Sequence, residues 1–160
     1  MQRLNFLFWN LNSKNLTDEI GNIAAIHGVD IIILAECDGL SESQLLLKLN
    51  EKETRYSANN PISECKKIKI FTRFSYRLIP PKMEGDRYTM RRLELPQVEP
   101  LSIVGWHLPD KGNHSPESQN ELASLYVQKI KDFEKDFGDK TIVIGDFNIV
   151  VKIIKIILFH

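Results

Sequence analysis

The segment Val29–Leu34 constrains the fold most, because it is an almost unbroken run of apolar, mostly β-branched residues. Such a run is typical of a central β-strand that is covered on both faces. Helix signals stand on either side of it. Thr17 is a candidate N-cap for a helix that Gly28 ends, and Ser41 opens a capping box for a second helix through about Asn50. With an apolar strand before the first helix, the N-terminal third is predicted to be β-α-β-α.

The middle of the chain has a different pattern, in which short strand-like runs follow one another and prolines separate them. Strands that succeed each other without helices pair antiparallel. The predicted strands lie near residues 55–59, 67–72, 75–80, 87–95 and 101–107. Ser-Pro-Glu at 115–117 then marks the start of a long helix that ends at Gly138, and a buried strand follows over Thr141–Ile144. The predicted fold class is therefore α/β (α+β).

Composition sets the class of protein but not its function. The chain has 160 residues, of which 42% are hydrophobic, and this suits one globular domain. We assign residues 1–148 to that domain and residues 149–160 to an atypical hydrophobic tail. Two cysteines are too few for a disulfide scaffold, so a reducing compartment is expected. No secretory signal or membrane-length apolar segment is seen, which predicts a cytoplasmic protein without a membrane span.

Charge is balanced overall but unevenly distributed. The chain carries 21 basic and 21 acidic side chains, yet residues 66–92 hold nine basic and two acidic ones, a net charge of +7. This segment can attract a polyanion, and its Arg73 and Arg91 are candidate substrate-binding residues. The alternative is that these charges form the solvated faces of surface strands. Composition alone favours that alternative.

Polar residues follow four apolar runs, at the points where the predicted strands end. In chain order they are Asn10, Asn12, Glu36, His107, Asp146 and Asn148. Loops at the carboxyl ends of strands converge on one edge of an α/β sheet, so we predict that Asn10, Glu36, His107, Asp146 and Asn148 cluster there. Two carboxylates with amide oxygens are a hard-oxygen set that suits Mg²⁺ or Mn²⁺. Taken singly, each residue also has an ordinary explanation as a loop carboxylate, an Asx-turn or a half-buried histidine.

The order of these motifs resembles that of the endonuclease/exonuclease/phosphatase superfamily, which includes DNase I-like nucleases, apurinic endonucleases, sphingomyelinases and inositol-polyphosphate phosphatases. The motifs are Trp-Asn-Leu-Asn at 9–12, Leu-Ala-Glu at 34–36, Gly-Trp-His-Leu at 105–108 and Gly-Asp-Phe-Asn at 145–148. Gly-Asp-Phe-Asn is the most specific of them. The resemblance implies a sandwich of two mixed β-sheets flanked by helices. It also implies metal-dependent hydrolysis of a phosphate ester, with a nucleic acid as the expected polyanionic substrate.

The resemblance also implies a metal set. Glu36 would be the principal ligand of Mg²⁺ or Mn²⁺, with Asn10 and Asn12 nearby. The family often has Asp at the position of Asn12, which implies weaker metal binding here.

The remaining residues carry implied roles in catalysis. Asp146 would orient or deprotonate the attacking water, and Asn148 would hold the phosphate or the metal. His107 would bond a phosphate oxygen or protonate the leaving oxygen. A cation that neutralises developing charge and an oriented base that presents water in line are sufficient for this chemistry.

The chain departs from the family pattern after Asn148. The family continues through further strands to a late Ser-Asp-His element that stabilises the phosphate transition state, and nothing similar occurs in this sequence. Residues 149–159 instead contain only Ile, Val, Leu, Phe and Lys. We interpret the chain as C-terminally truncated or frameshifted, with a tail whose composition is that of an aggregation-prone strand.

Two functions from different classes therefore stay open. The first is an enzyme, a metal-dependent phosphodiesterase of nuclease type. The second is a non-catalytic remnant that binds a partner through an exposed sheet edge. Loss of a phosphate-stabilising group costs about 10²–10³-fold in rate, so weak activity alone does not decide between them. DNA, RNA, phospholipid and inositol phosphate are not distinguished as substrates.

Overall fold

The computed structural model describes residues 3–52, 55–59, 64–97, 99–109, 116–138 and 140–148, and the predicted tail at 149–160 lies outside them. The described residues form eight strands and three α-helices. The strands are β1 (Phe6–Asn10), β2 (Ile31–Ala35), β3 (Ser57–Ala58), β4 (Ile68–Thr72), β5 (Pro81–Gly85), β6 (Tyr88–Leu93), β7 (Leu101–His107) and β8 (Thr141–Asp146). The helices are α1 (Thr17–His27), α2 (Glu42–Leu49) and α3 (Pro116–Phe137).

The strands form two four-stranded sheets, with the orders β1-β2-β4-β3 and β5-β6-β7-β8. Each sheet holds one parallel pair, β1 with β2 and β7 with β8, and each parallel pair is connected through a helix. The other pairs are antiparallel, as the run of consecutive strands in the middle of the chain predicts. The predicted class, two mixed sheets flanked by helices, is confirmed.

Strand β2 shows how the layers are held together, since every one of its residues is buried. Ile31, Ile33 and Ala35 belong to the core between the two sheets. Ile32 and Leu34, which alternate with them, pack on the opposite face with residues of α1 and α2. This period of two explains why the strand is apolar throughout. A third cluster lies between the second sheet and α3, so the order of layers is helix, sheet, sheet, helix.

The two helix starts differ in how they are capped. Ser41 is the N-cap of α2, and its side chain accepts from the Gln44 backbone N–H at 3.4 Å, as predicted. Thr17 is not the N-cap of α1: Leu16 holds that position without a side-chain cap. The side-chain oxygen Oδ1 of Asn15 instead accepts from the Thr17 hydroxyl at 2.7 Å, so Thr17 donates to the loop before the helix and does not cap it.

The strand predicted near residues 75–80 is wrong. Tyr76–Leu78 forms a 3₁₀ turn, and the Ser75 hydroxyl accepts from the backbone N–H of Arg77 at 3.4 Å. The extended segment begins later, at Pro81, which pairs with β6 as the first residue of the edge strand β5. Proline is tolerated at such a position because an edge strand leaves some N–H groups unpaired. No described helix combines the length and apolar character needed to cross a membrane.

Neither cysteine forms a disulfide, and both are buried, at 4% exposed for Cys37 and 5% for Cys65. Burial raises the pKa of Cys37 to about 12 and that of Cys65 to about 11. Because only the thiolate reacts, about one Cys37 thiol in 10⁴ is reactive at pH 8, before burial slows access further. We expect both thiols to resist alkylation in the native chain and to react fully in denaturant. Native Cys37 labelling as fast as free glutathione would contradict this.

Candidate active site

The topology brings the ends of four strands to one place. The parallel pair β1 and β2 aligns Asn10 with Ala35, so Asn10 and Glu36 leave the first sheet at the same edge. The parallel pair β7 and β8 aligns His107 directly with Asp146 in the second sheet. The two sheets pack face to face, and these two ends meet. The predicted clustering of strand-end residues is therefore present in the geometry.

The centre of the cluster is two carboxylates joined by one amide. The Asn10 side-chain nitrogen donates to Glu36 Oε1 at 3.1 Å and to Asp146 Oδ2 at 2.6 Å. These bonds connect the first sheet to the second across 136 residues of sequence. The amide oxygen of Asn10 accepts from the backbone N–H of Asn12 at 2.9 Å. In this arrangement the Asn10 nitrogen joins the two carboxylates, and the Asn10 oxygen points to the loop.

His107 completes the cluster from the second sheet. Its Nε2 lies 2.7 Å from Glu36 Oε1, and its side chain is 5% exposed. Its Nδ1 lies 3.0 Å from Nη1 of Arg87, which is half-buried. Arginine has only donors, so Nδ1 must be the acceptor of that bond. With Nδ1 as the acceptor from Arg87, Nε2 is the ring nitrogen left to donate, and it faces Glu36 Oε1.

Two matching turns shape the loops that follow β1 and β8. Asn10 accepts from the backbone of Asn12, and Asp146 Oδ1 accepts from the backbone N–H of Asn148 at 3.0 Å. Both are Asx-turns, in which the third residue has a positive φ, 47° at Asn12 and 40° at Asn148. The Asn148 amide also donates to the Leu108 carbonyl at 2.7 Å, which ties the loop after β8 to the loop after β7. The side chain of Asn12 is exposed and lies outside the cluster.

The donor set fits a divalent cation. One ligand atom each of Glu36, His107 and Asp146 lie within 4.8 Å of one another. The two carboxylates are hard-oxygen donors that suit Mg²⁺ or Mn²⁺. Glu36 comes from the first sheet, His107 and Asp146 come from neighbouring strands of the second sheet, and hydrogen bonds preorganise them. This is what a site that binds a cation and a phosphate at one edge requires.

The two arginines suggested by the basic segment are not brought to this cluster. Arg73 follows β4 at the opposite end of the sheet, where its backbone N–H bonds the Asp30 carbonyl and its guanidinium lies 3.6 Å from the Asp30 carboxylate. Arg91 is 1% exposed, and its Nη2 donates to Glu84 Oε1 at 2.8 Å. One faces away from the site and the other faces the interior, so neither is positioned to contact a substrate held there.

Sequence comparison and structure comparison give different results. No protein-family sequence model matches the chain, and no curated protein matches it in sequence. Beta toxin from Staphylococcus aureus, as a variant with bound magnesium ions, matches with a TM-score of 0.60 and 13% identity, over 92% of this chain and 66% of its own. TDP2 from D. rerio, in complex with a single-strand DNA product, matches with a TM-score of 0.57 and 20% identity, over 91% and 61%.

A third structure carries the family in its own name. It is an endonuclease/exonuclease/phosphatase family protein from Bacteroides thetaiotaomicron, with a TM-score of 0.60 and 17% identity, over 91% of this chain and 63% of its own. This chain has the endonuclease/exonuclease/phosphatase fold. The predicted resemblance is confirmed at the level of the fold, and the chain spans about two thirds of the length of these structures.

Within the endonuclease/exonuclease/phosphatase fold, sequence reasoning found every member of the cluster except Arg87. This residue stands in the two-residue turn between β5 and β6, where a basic side chain has no motif to mark it. The sequence feature that points to Arg87 is its location in the basic segment at 66–92. That segment alone does not show which of its nine basic residues reaches the site.

Proposed function

We propose that this chain is a Mg²⁺-dependent phosphodiesterase, and that its substrate is a nucleic acid. The observation that carries the proposal is the pair of carboxylates, Glu36 and Asp146, held together by the Asn10 amide across the two sheets. His107, a donor, stands beside them. An ion pair that only stabilised the fold would not require the ends of four strands to meet at one place. A phosphate ester needs a cation, a base and a hydrogen-bond donor on one side, and the cluster contains groups suited to these tasks.

Each residue has a part that follows from its contacts. Glu36, with Asp146 beside it, would hold the cation, which when bound neutralises the charge that develops on the phosphate. Asp146 is fixed through both oxygens, by the Asn10 amide and the Asn148 backbone, and can orient a water and accept its proton. His107 directs Nε2 at Glu36 Oε1, and this nitrogen would also donate to a phosphate oxygen held beside that carboxylate. Asn148 keeps the loop in place through Leu108.

The choice of nucleic acid rests on two supports. TDP2 from D. rerio, which shares the fold, has been solved with a single-strand DNA product. The basic segment also supplies cations on the site side, since Arg87 contacts His107 and Lys67 lies 3.5 Å from Asp38, two residues after Glu36. Such cations can contact the phosphates that flank the one held at the cluster.

The test is hydrolysis of a fluorescent single-stranded oligonucleotide by the purified chain. We expect cleavage with Mg²⁺ or Mn²⁺, no cleavage with excess EDTA, and recovery when excess Mg²⁺ is restored. The reason is that the carboxylates of Glu36 and Asp146 are anions like the phosphate, so a cation is needed to neutralise its charge. Asp146→Asn, purified in parallel, keeps the shape of the side chain and controls for contaminating nucleases. If the chain binds Mn²⁺ and still cleaves no oligonucleotide or simple phosphodiester, the non-catalytic, partner-binding alternative is correct.

A further inference from the structure

Arg87 is held in place from both sides of the sandwich. It lies in the turn between β5 and β6, where the carbonyl of its neighbour Asp86 accepts from the backbone N–H groups of Lys66 and Lys67 at 3.1 Å each. Its own carbonyl accepts from the His107 backbone N–H at 2.8 Å. The turn is thereby anchored to the segment before β4 and to the end of β7. The guanidinium reaches His107 from an anchored backbone.

The contact with His107 restricts what the imidazole can do. A guanidinium offers only N–H donors and does not lose its proton in proteins. A proton on His107 Nδ1 would therefore point at an Arg87 N–H, donor against donor, at a separation of 3.0 Å. The proton stays on Nε2, and Nε2 is the ring atom that faces Glu36 at 2.7 Å.

A protonated Nε2 cannot bind a metal. A histidine nitrogen ligates through its lone pair, which requires the proton to sit on the other ring nitrogen. Proximity alone groups His107 with the carboxylates of Glu36 and Asp146. With Arg87 in place, however, only oxygen atoms remain to coordinate. Oxygen-only sets favour Mg²⁺ and Mn²⁺, whereas a histidine with two carboxylates favours Zn²⁺.

We propose that Arg87 is a positioning residue that sets the metal preference of the site, because it fixes the Nε2–H tautomer of His107 and keeps that histidine out of the coordination set. This inference rests on the proposed function for the existence of the cation site. It adds that the discrimination against Zn²⁺ comes from a residue that touches neither the metal nor the phosphate.

The first test reads the tautomer directly, without metal or substrate. Long-range ¹H–¹⁵N spectra of the histidine rings at neutral pH separate protonated from lone-pair nitrogens, and the loss of signals in His107→Asn identifies those of His107 among the four histidines. We expect a protonated Nε2 and a lone-pair Nδ1. Arg87→Lys, which still offers only donors, is expected to keep this pattern, and Arg87→Met is expected to lose it. A native His107 with its proton on Nδ1 overturns the proposal.

The second test measures metal preference by calorimetric titration with Zn²⁺ and Mg²⁺. Arg87→Met is expected to raise Zn²⁺ affinity roughly 10-fold or more, the usual size of an outer-shell effect, and to change Mg²⁺ affinity little. Arg73→Met, at the far end of the sheet, is the matched control and should change neither. Circular dichroism verifies that each variant is folded. Arg87→Gln, whose amide oxygen can accept a proton from Nδ1, replaces the methionine variant if that variant unfolds.

The outcomes separate this proposal from the proposed function. Zn²⁺ affinity that is the same in Arg87→Met and the native chain overturns the positioning role, whether or not oligonucleotides are cleaved. A raised Zn²⁺ affinity together with no cleavage of any phosphodiester supports the positioning role and removes the proposed enzyme function.

Discussion

Glu36→Gln is expected to weaken Mn²⁺ binding by about 10–100-fold and to slow oligonucleotide cleavage by roughly 10²–10³-fold. The substitution keeps the size of the side chain and removes its charge. It also presents an amide nitrogen to Asn10 and His107, which both donate to Glu36 Oε1. The carboxylate is therefore lost as a ligand and as the acceptor that aligns both donors. Titration calorimetry with Mn²⁺ and a cleavage assay measure the two effects separately.

Glu51→Gln is the matched control for this variant. Glu51 is an exposed carboxylate that pairs with Lys48 at 3.1 Å, beyond the end of α2 and apart from the cluster. The Glu51→Gln variant should bind Mn²⁺ with the affinity of the native chain. Equal Mn²⁺ affinity in the native chain and in Glu36→Gln would show that Glu36 is not the principal ligand, and the assignment of the whole site would then be wrong.

Arg91→Met is expected to lower the free energy of unfolding by about 3–5 kcal/mol, the usual cost of breaking one half of a buried ion pair. The Arg91 side chain is 2% exposed and that of its partner Glu84 is 10% exposed. Arg91 also donates to the Thr89 hydroxyl at 3.0 Å and to the Ile79 carbonyl at 3.3 Å. Methionine fills much of the volume but removes the guanidinium that pairs with the Glu84 carboxylate inside the protein. Urea denaturation followed by circular dichroism gives the change in free energy.

Two further variants determine whether the loss comes from the unpaired charge. Arg73→Met removes a half-exposed arginine from its pair with Asp30 and should cost about 0–1 kcal/mol. Adding Glu84→Gln to Arg91→Met removes the buried charge and should restore part of the stability. A loss in Arg91→Met no larger than that in Arg73→Met would mean that this ion pair does not hold the second sheet together.

Local patterns predicted the architecture because the strands that matter are apolar on both faces. The run at Val29–Leu34 has that character only because helices cover one side of β2 and the second sheet covers the other. The site was predictable for a related reason, since parallel strands bring their carboxyl ends together. The alternation of side-chain direction along β6 also predicts that one of its arginines is buried, which a count of basic residues does not show. Arg91 shares a face with Thr89 and Leu93, so a period of two places it inside, although its charge suggests the surface.

What the sequence could not predict depends on contacts between distant residues. The bond between Arg87 and His107 spans 20 residues and two strands, and nothing in either segment encodes it alone. Arg73 lies at the end of the sheet far from the cluster because β4 runs antiparallel to β2. This direction depends on how the two strands pair. The positions of Arg73 and Arg87 therefore follow from the register of the sheets. Composition shows only that both residues are basic.

Three residues at the edge of the sandwich that carries the cluster have a left-handed backbone. They are Asn12, Glu36 and Asn148, with φ of 47°, 51° and 40°. Each such residue costs the folded state on the order of 1 kcal/mol, and at a position of this kind glycine would relieve the strain. A chain selected for thermal stability alone would drift toward glycine at these positions. At Glu36 the left-handed residue supplies a carboxylate of the cluster, so glycine there would relieve the strain only by removing the proposed metal ligand. Asn12, whose side chain lies outside the cluster, can be replaced by glycine without that loss.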